Sequence, residues 1–172
     1  MSYGQVTDAQ ANAIQPFVLG RVVHDLGCGD RYLSSRLVDW GAERVVAIDW
    51  APLGPDRGPL VTTIEQSFED CLKTIPVIDV AFLSWPTTGP SDALVELISG
   101  AHRVVYLGQN TGGTICGHPE LFRHLMRRPL LAHVPDERNT LLVYGSGAVE
   151  REPVLEELAG CTSRFPQVRR SR

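Results

Sequence analysis

No apolar run in this chain approaches the roughly 20 residues a membrane-crossing helix needs. The opening residues, MSYGQVTDAQ, lack the basic stretch and apolar core of a secretory signal. There is no excess of basic residues either: the net charge is −4, which argues against nucleic acid and anionic membranes as partners. Cysteine is sparse. Cys28, Cys71, Cys116 and Cys161 stand far apart and form no C-x-x-C pair, so the expectation is free buried thiols in a reducing cytoplasm. Internal repeats and low-complexity segments are missing. A metal-ligand pattern is missing too, because Cys116 and His118 lie two apart with no further ligand nearby in sequence. What remains is an ordinary globular balance, 43% hydrophobic and 21% charged over 172 residues. That suits one domain over residues 1–172, with a mobile tail after about 160 carrying Arg164, Arg169, Arg170 and Arg172.

The most ordered pattern runs from Val22 to Trp50, VVHDLGCGDRYLSSRLVDWGAERVVAIDW. A short apolar run ends in Asp25 and is followed by Gly27-Cys28-Gly29-Asp30. Leu33, Leu37 and Trp40 then share a helical face that Gly41 stops, and a second apolar run, Val45 to Ile48, ends in Asp49. This is a strand, a glycine turn, a helix and a second strand, a βαβ unit. Gly27 and Gly29 permit a tight turn with no side chain between backbone and ligand. The helix start adds free N–H groups and partial positive charge. Asp49, at the tip of the neighbouring strand, is placed to accept hydrogen bonds from ribose hydroxyls. The unit is suited to a nucleoside. The dinucleotide fingerprint G-x-G-x-x-G is not completed, since its third glycine position holds Tyr32.

Along the rest of the chain, Thr7 caps a helix through Ala11, Ile14 and Phe17 to Gly20, with Pro16 expected to kink or shorten its last turn. The stretch APLGPDRGP after Asp49 reads as a loop. Strands are expected at Leu60–Ile64, Ile78–Leu83 and Val104–Leu107, and helices from Ser91 to Gly100 and from Pro119 onward. Leu130–Val134 and Thr140–Tyr144 flank PDERN as an antiparallel hairpin, and a short acidic helix follows at Pro153–Leu158. His24 reads as a satisfied core residue. Arg123, Arg127 and Arg128 with His124 form a basic patch, either a solvated helix face or a receiver for an anionic substrate.

The string D-x-G-x-G-D, with a second acid ending the next strand, resembles the class I S-adenosylmethionine-dependent methyltransferases. The resemblance covers about Thr7 to Gly145. It implies an α/β fold: a three-layer Rossmann-like sandwich with a seven-stranded, mostly parallel sheet, five strands alternating with helices, and an antiparallel hairpin at one edge. It implies S-adenosylmethionine as cofactor, the glycine turn beneath its methionine end and Asp49 on its ribose. The family often has a third glycine where this chain has Arg31.

Ligands of such sheets bind outside the carboxyl ends of the strands. Those ends supply the candidate cofactor residues: Asp25, Gly27, Cys28, Gly29, Asp30, Asp49, Trp50, Gln66, Ser67, Phe68 and Ser84. Asp30 serves the cofactor or caps the following helix. Gln66, Ser67 and Phe68 contact an adenine, or else Ser67 caps a helix and Phe68 packs in the core. Tyr3 and Gln5 lie where they can reach the ligand or belong to a frayed terminus. Ser84-Trp85-Pro86 partly matches the motif with which amino-group methyltransferases hold a planar target, so Ser84 and Trp85 are the candidate catalytic residues. Trp85 stacks on a flat substrate, covers the methyl donor, or is a core tryptophan. The leading expectation is methyl transfer from S-adenosylmethionine to a small-molecule acceptor. Its rivals are a non-catalytic S-adenosylmethionine or S-adenosylhomocysteine-binding module and a nucleic-acid amino-methyltransferase. The last needs a basic groove this acidic chain does not show.

Overall fold

A computed structural model of the chain describes residues 6–55, 57–109, 116–137 and 139–147. Tyr3, Gln5, Cys161, the expected helix at Pro153–Leu158 and the arginine-rich tail lie outside the described residues.

The elements in order are α1 (Asp8–Val18), β1 (Val22–Leu26), α2 (Tyr32–Asp39), β2 (Arg44–Asp49), β3 (Val61–Glu65) and α3 (Phe68–Thr74). After them come β4 (Val80–Ser84), α4 (Asp92–Ser99), β5 (Arg103–Gly108), α5 (Pro119–Leu125), β6 (Leu130–Pro135) and β7 (Thr140–Tyr144). Seven strands form one sheet in the order β3-β2-β1-β4-β5-β7-β6. The first five are parallel, and β7 pairs antiparallel with both β5 and β6. The expected architecture is therefore present, hairpin edge included.

Each face of the sheet has its own core. Side chains alternate across a strand, so Val45 and Ala47 face one side and Val46 and Ile48 the other. The first set packs with Ile14 and Val18 of α1 and Leu33 and Leu37 of α2. The second packs with Cys71 of α3, Leu97 and Ile98 of α4, and Leu121 and Leu125 of α5. Strands buried on both faces read as near-continuous apolar runs, which is why they are visible in the sequence.

Thr7 caps α1 through a reciprocal pair with Gln10, at 3.2 Å in each direction. The helix runs on through Pro16 to Val18, ending two residues before Gly20. That near its end, the N–H proline lacks costs one bond only. The described residues of the connection from β2 to β3 hold no helix, in keeping with the loop expected from the proline- and glycine-rich stretch after Asp49. His24 is buried as expected but not satisfied, because its Nδ1 has no hydrogen-bond partner. Burial, then the neighbouring positive charge of Arg44, lowers its pKa, so it is held as the neutral ring.

Candidate functional site

The sheet order reverses between β1 and β4, and a cleft lies outside the carboxyl ends of the strands at that point. Its volume is about 320 Å³, within the span of small-molecule sites. Leu26 and Gly27 form its floor, with Asp49 and Trp50 from the end of β2. Gln66, Ser67, Phe68 and Glu69 come from the β3–α3 junction. Trp85, Pro86, Thr87 and Gly89 come from the end of β4, and Ser91 and Leu94 from the start of α4.

The glycine bend is built as its sequence demands. Gly27 has φ +81°, a left-handed conformation that a side chain resists, and the Phe68 ring lies 4.0 Å from where its Cβ would be. The N–H groups of Gly27 and Cys28 both donate to the Ile48 carbonyl, at 2.8 and 3.0 Å, which ties the bend to β2. Asp49 completes the link. Its Oδ2 accepts from the Gly29 N–H at 2.9 Å and its Oδ1 from the Ala51 N–H at 3.0 Å. Each oxygen keeps a second lone pair, and the residue lines the cleft.

Aromatic rings wall the space. Trp50 is 79% exposed and lines the cleft. Trp85 sits at the strand-to-loop turn with φ 50°, one of two non-glycine residues in the left-handed region among those described. Its N–H donates to the Leu107 carbonyl at 2.8 Å, so β5 fixes the turn that presents it. Such a backbone outlier costs about 1–3 kcal/mol and persists only where the surroundings impose it. The lining residues include two carboxylates, Asp49 and Glu69, and no lysine, arginine or histidine.

Several candidates gather here: Gly27, Asp49, Trp50, Gln66, Ser67, Phe68 and Trp85 all line the cleft. Ser67 also caps α3, accepting from the Asp70 N–H at 3.2 Å, and Phe68 also packs on the core, so the capping and packing alternatives hold while both residues line the cleft. Others stand apart. Asp25 is fully buried, and the Ser34 hydroxyl donates to its Oδ2 at 2.5 Å. Burial, seconded by the negative charges of Asp49 and Asp30 and opposed by Ser34, pushes its pKa up to about 7. Cys28 is buried in the α1/α2 core, and burial, then the nearby Asp25 and Asp49 charges, pushes its thiol up to about 12, so it is no nucleophile. Asp30 accepts from the Tyr32 N–H, the first of α2, at 3.0 Å, while the N-cap position itself is held by Arg31 without a side-chain cap. Ser84 is half-buried behind Trp85 in sequence and is not among the lining residues.

The sequence reading missed Glu69, Leu94 and Thr87 in the lining. Ser91 was visible as a cap, and a helix starting at this edge puts its first turn on the cleft. The basic patch loses a member: Arg128 is buried, its Nε and Nη1 donating to the carbonyls of Gly145 and Ile98 at 2.7 and 2.6 Å, and Nη2 to that of Ala101. Of the others, Arg123 pairs with Glu120. Among the described residues no group of three or more His, Cys, Asp or Glu could hold a metal. No described helix is long and apolar enough to cross a membrane.

No protein-family model matches the sequence, and no curated protein matches it. Solved structures do match. A candidate methyltransferase from Escherichia coli, yhhF, superposes with a TM-score of 0.59 at 12% identity, covering 85% of this chain and 89% of its own. A candidate S-adenosylmethionine-dependent methyltransferase from Listeria monocytogenes gives 0.56 at 11% identity, covering 81% of this chain and 97% of its own. A ribosomal protein L11 methylase from Lactobacillus delbrueckii subsp. bulgaricus gives 0.54 at 15% identity, covering 86% and 82%. At such identities the likeness speaks for the fold, and the fold is the class I Rossmann-like methyltransferase fold.

Proposed function

We propose that the chain binds S-adenosylmethionine in this cleft and transfers its methyl group to a small, flat, uncharged or cationic acceptor. The observation that carries the reading is the join between the Gly27 bend and Asp49, facing one aromatic-walled space. The residues suit that cofactor. Asp49 has lone pairs left for two ribose hydroxyls, Trp50 and Phe68 offer flat faces for a base, and Gly27 leaves room beneath the chain linking ribose to amino acid. Two carboxylates and no cation in the lining suit a positively charged sulfonium compound.

The cofactor supplies an already activated methyl group. The protein's part is alignment and exclusion of water. Trp85 and Pro86, held by the Leu107 carbonyl and the Gly117 N–H, border the side from which an acceptor approaches. Among the described residues no histidine, lysine or cysteine lines the cleft, so the acceptor brings its own nucleophilic lone pair. The same charge pattern speaks against the phosphates of RNA.

The test is incubation of the purified protein with methyl-labelled S-adenosylmethionine and fractionated cell extract. Label in the small-molecule fraction is expected. Label in RNA or protein overturns the acceptor class, and binding of S-adenosylhomocysteine without any transfer supports a binding module instead. Failure to bind either compound overturns the whole reading.

A further inference from the structure

The connection from β2 to β3, residues 50–60, has neither a helix nor an apolar anchor: Leu53 and Leu60 are 63% and 46% exposed. Yet it carries Trp50 at the cleft and Ala51, whose N–H fixes one oxygen of Asp49. At its far end the Leu60 carbonyl accepts from the Val45 N–H of β2 at 2.8 Å; the ties along its middle run to residues 29–31. The Leu53 N–H donates to the Gly29 carbonyl at 2.9 Å. The Arg57 guanidinium donates to the Asp30 carbonyl at 3.3 and 3.1 Å. The Arg31 guanidinium donates to the carbonyls of Leu53, at 3.0 Å, and Gly54, while its other Nη reaches the Thr63 hydroxyl of β3 at 3.1 Å.

Arg31 is only 4% exposed, and its backbone is left-handed, φ 60°. It therefore keeps the bend that a third glycine would make without strain, and adds a side chain. That side chain does not enter the cleft; it lies across β2 to β3, on the side of the sheet where Val61 joins the α1/α2 core. A planar fork of five donors can hold a hydroxyl and two carbonyls at once, whereas a lysine ammonium offers a single point.

We propose that Arg31 is a positioning residue for the nucleoside: a latch that clamps the β2–β3 connection onto the glycine bend and so sets Asp49 and Trp50. This rests on the cofactor reading above. Arg31→Lys keeps charge and backbone strain but loses the fork. Arg31→Gly removes the fork and the strain together, so the fold is under less stress without it. In both variants the Leu53 amide, followed by NMR hydrogen exchange without ligand, should exchange about tenfold faster or more, while amides in β4 and β5 hold their rates. Affinity for S-adenosylhomocysteine should fall roughly tenfold, with Thr63→Val, which removes one of three acceptors, falling less. In an Asp49→Ala, Trp50→Ala background, Arg31→Lys should change affinity by less than about twofold, because both groups it positions are gone. An unchanged Leu53 rate overturns the latch. So does an equal affinity loss in both backgrounds, the result expected if Arg31 merely stabilises the fold. A wild-type protein that binds no S-adenosylhomocysteine overturns the nucleoside reading and the positioning role with it, and the Leu53 rate then decides separately whether Arg31 clamps the connection.

Discussion

Arg31 and Arg128 are both buried, at 4% and 6% exposure, and both spend their guanidinium donors on protein oxygens. They sit at opposite edges of the sheet. Arg128 lies beside the amino ends of the parallel strands, where it takes up the carbonyls left at the end of α4 and beyond β7. Its surroundings are regular: the Arg21–Asp79 ion pair spans the same edge at 3.0 Å, and among the described residues no non-glycine residue there is left-handed. Arg31 lies at the carboxyl ends, among left-handed residues, exposed aromatics and a connection without a helix. The same chemistry thus closes one edge and leaves the other open but shaped. Regular backbone with satisfied carbonyls builds stability, whereas the irregular edge holds groups aimed at something outside the protein.

Substitutions can break that contrast. The largest effect should come from Arg128→Met, which leaves buried carbonyls without donors and should lower unfolding free energy by about 2–4 kcal/mol. Denaturant titration measures this. Ligand affinity of the folded protein should stay unchanged, and a parallel loss of binding would mean that the edges are not independent. Asp49→Ala should weaken S-adenosylhomocysteine binding by about 1–3 kcal/mol, read by calorimetry. Trp50→Ala, at a side chain 79% exposed, should move stability by no more than about 0.5 kcal/mol yet weaken binding by roughly 1–2 kcal/mol through lost stacking. Equal effects on both would make Trp50 an ordinary surface residue.

The last expected effect is a slope in stability against pH. Burial raises the Asp25 pKa from 3.8 to about 7. Between those values the folded protein holds a proton that the unfolded chain has released, so folding is favoured most below about pH 4 and that advantage is lost as pH rises through about 7. Asp25→Asn should flatten this part of the stability–pH curve, and an identical slope in both proteins would place the titration elsewhere.

Much of this was legible because it rests on local rules. The apolar runs of β1, β2, β4 and β5, the caps Thr7, Ser67 and Ser91, and the glycine bend followed by Asp49 all follow from spacing and residue type. What was hidden depends on contacts distant in sequence. Arg31 departs from the family's glycine, and nothing nearby says that its side chain reaches Thr63, 32 positions on. Asp25 has the right type and place for a ligand, yet it turns inward to Ser34 because α2 packs over it. Arg128 reads as one more surface charge until the end of α4 is seen to need donors. The loop between β2 and β3 was visible too, since proline and glycine fill that stretch.

The central claim is that the open edge grips an adenosyl compound through Asp49 and the Gly27 bend. Calorimetric titration of the wild-type protein with S-adenosylhomocysteine and with NAD, side by side, tests it most directly. The account predicts saturable single-site binding of S-adenosylhomocysteine and no measurable heat with NAD; no heat with the former, or tighter binding of the latter, would contradict it.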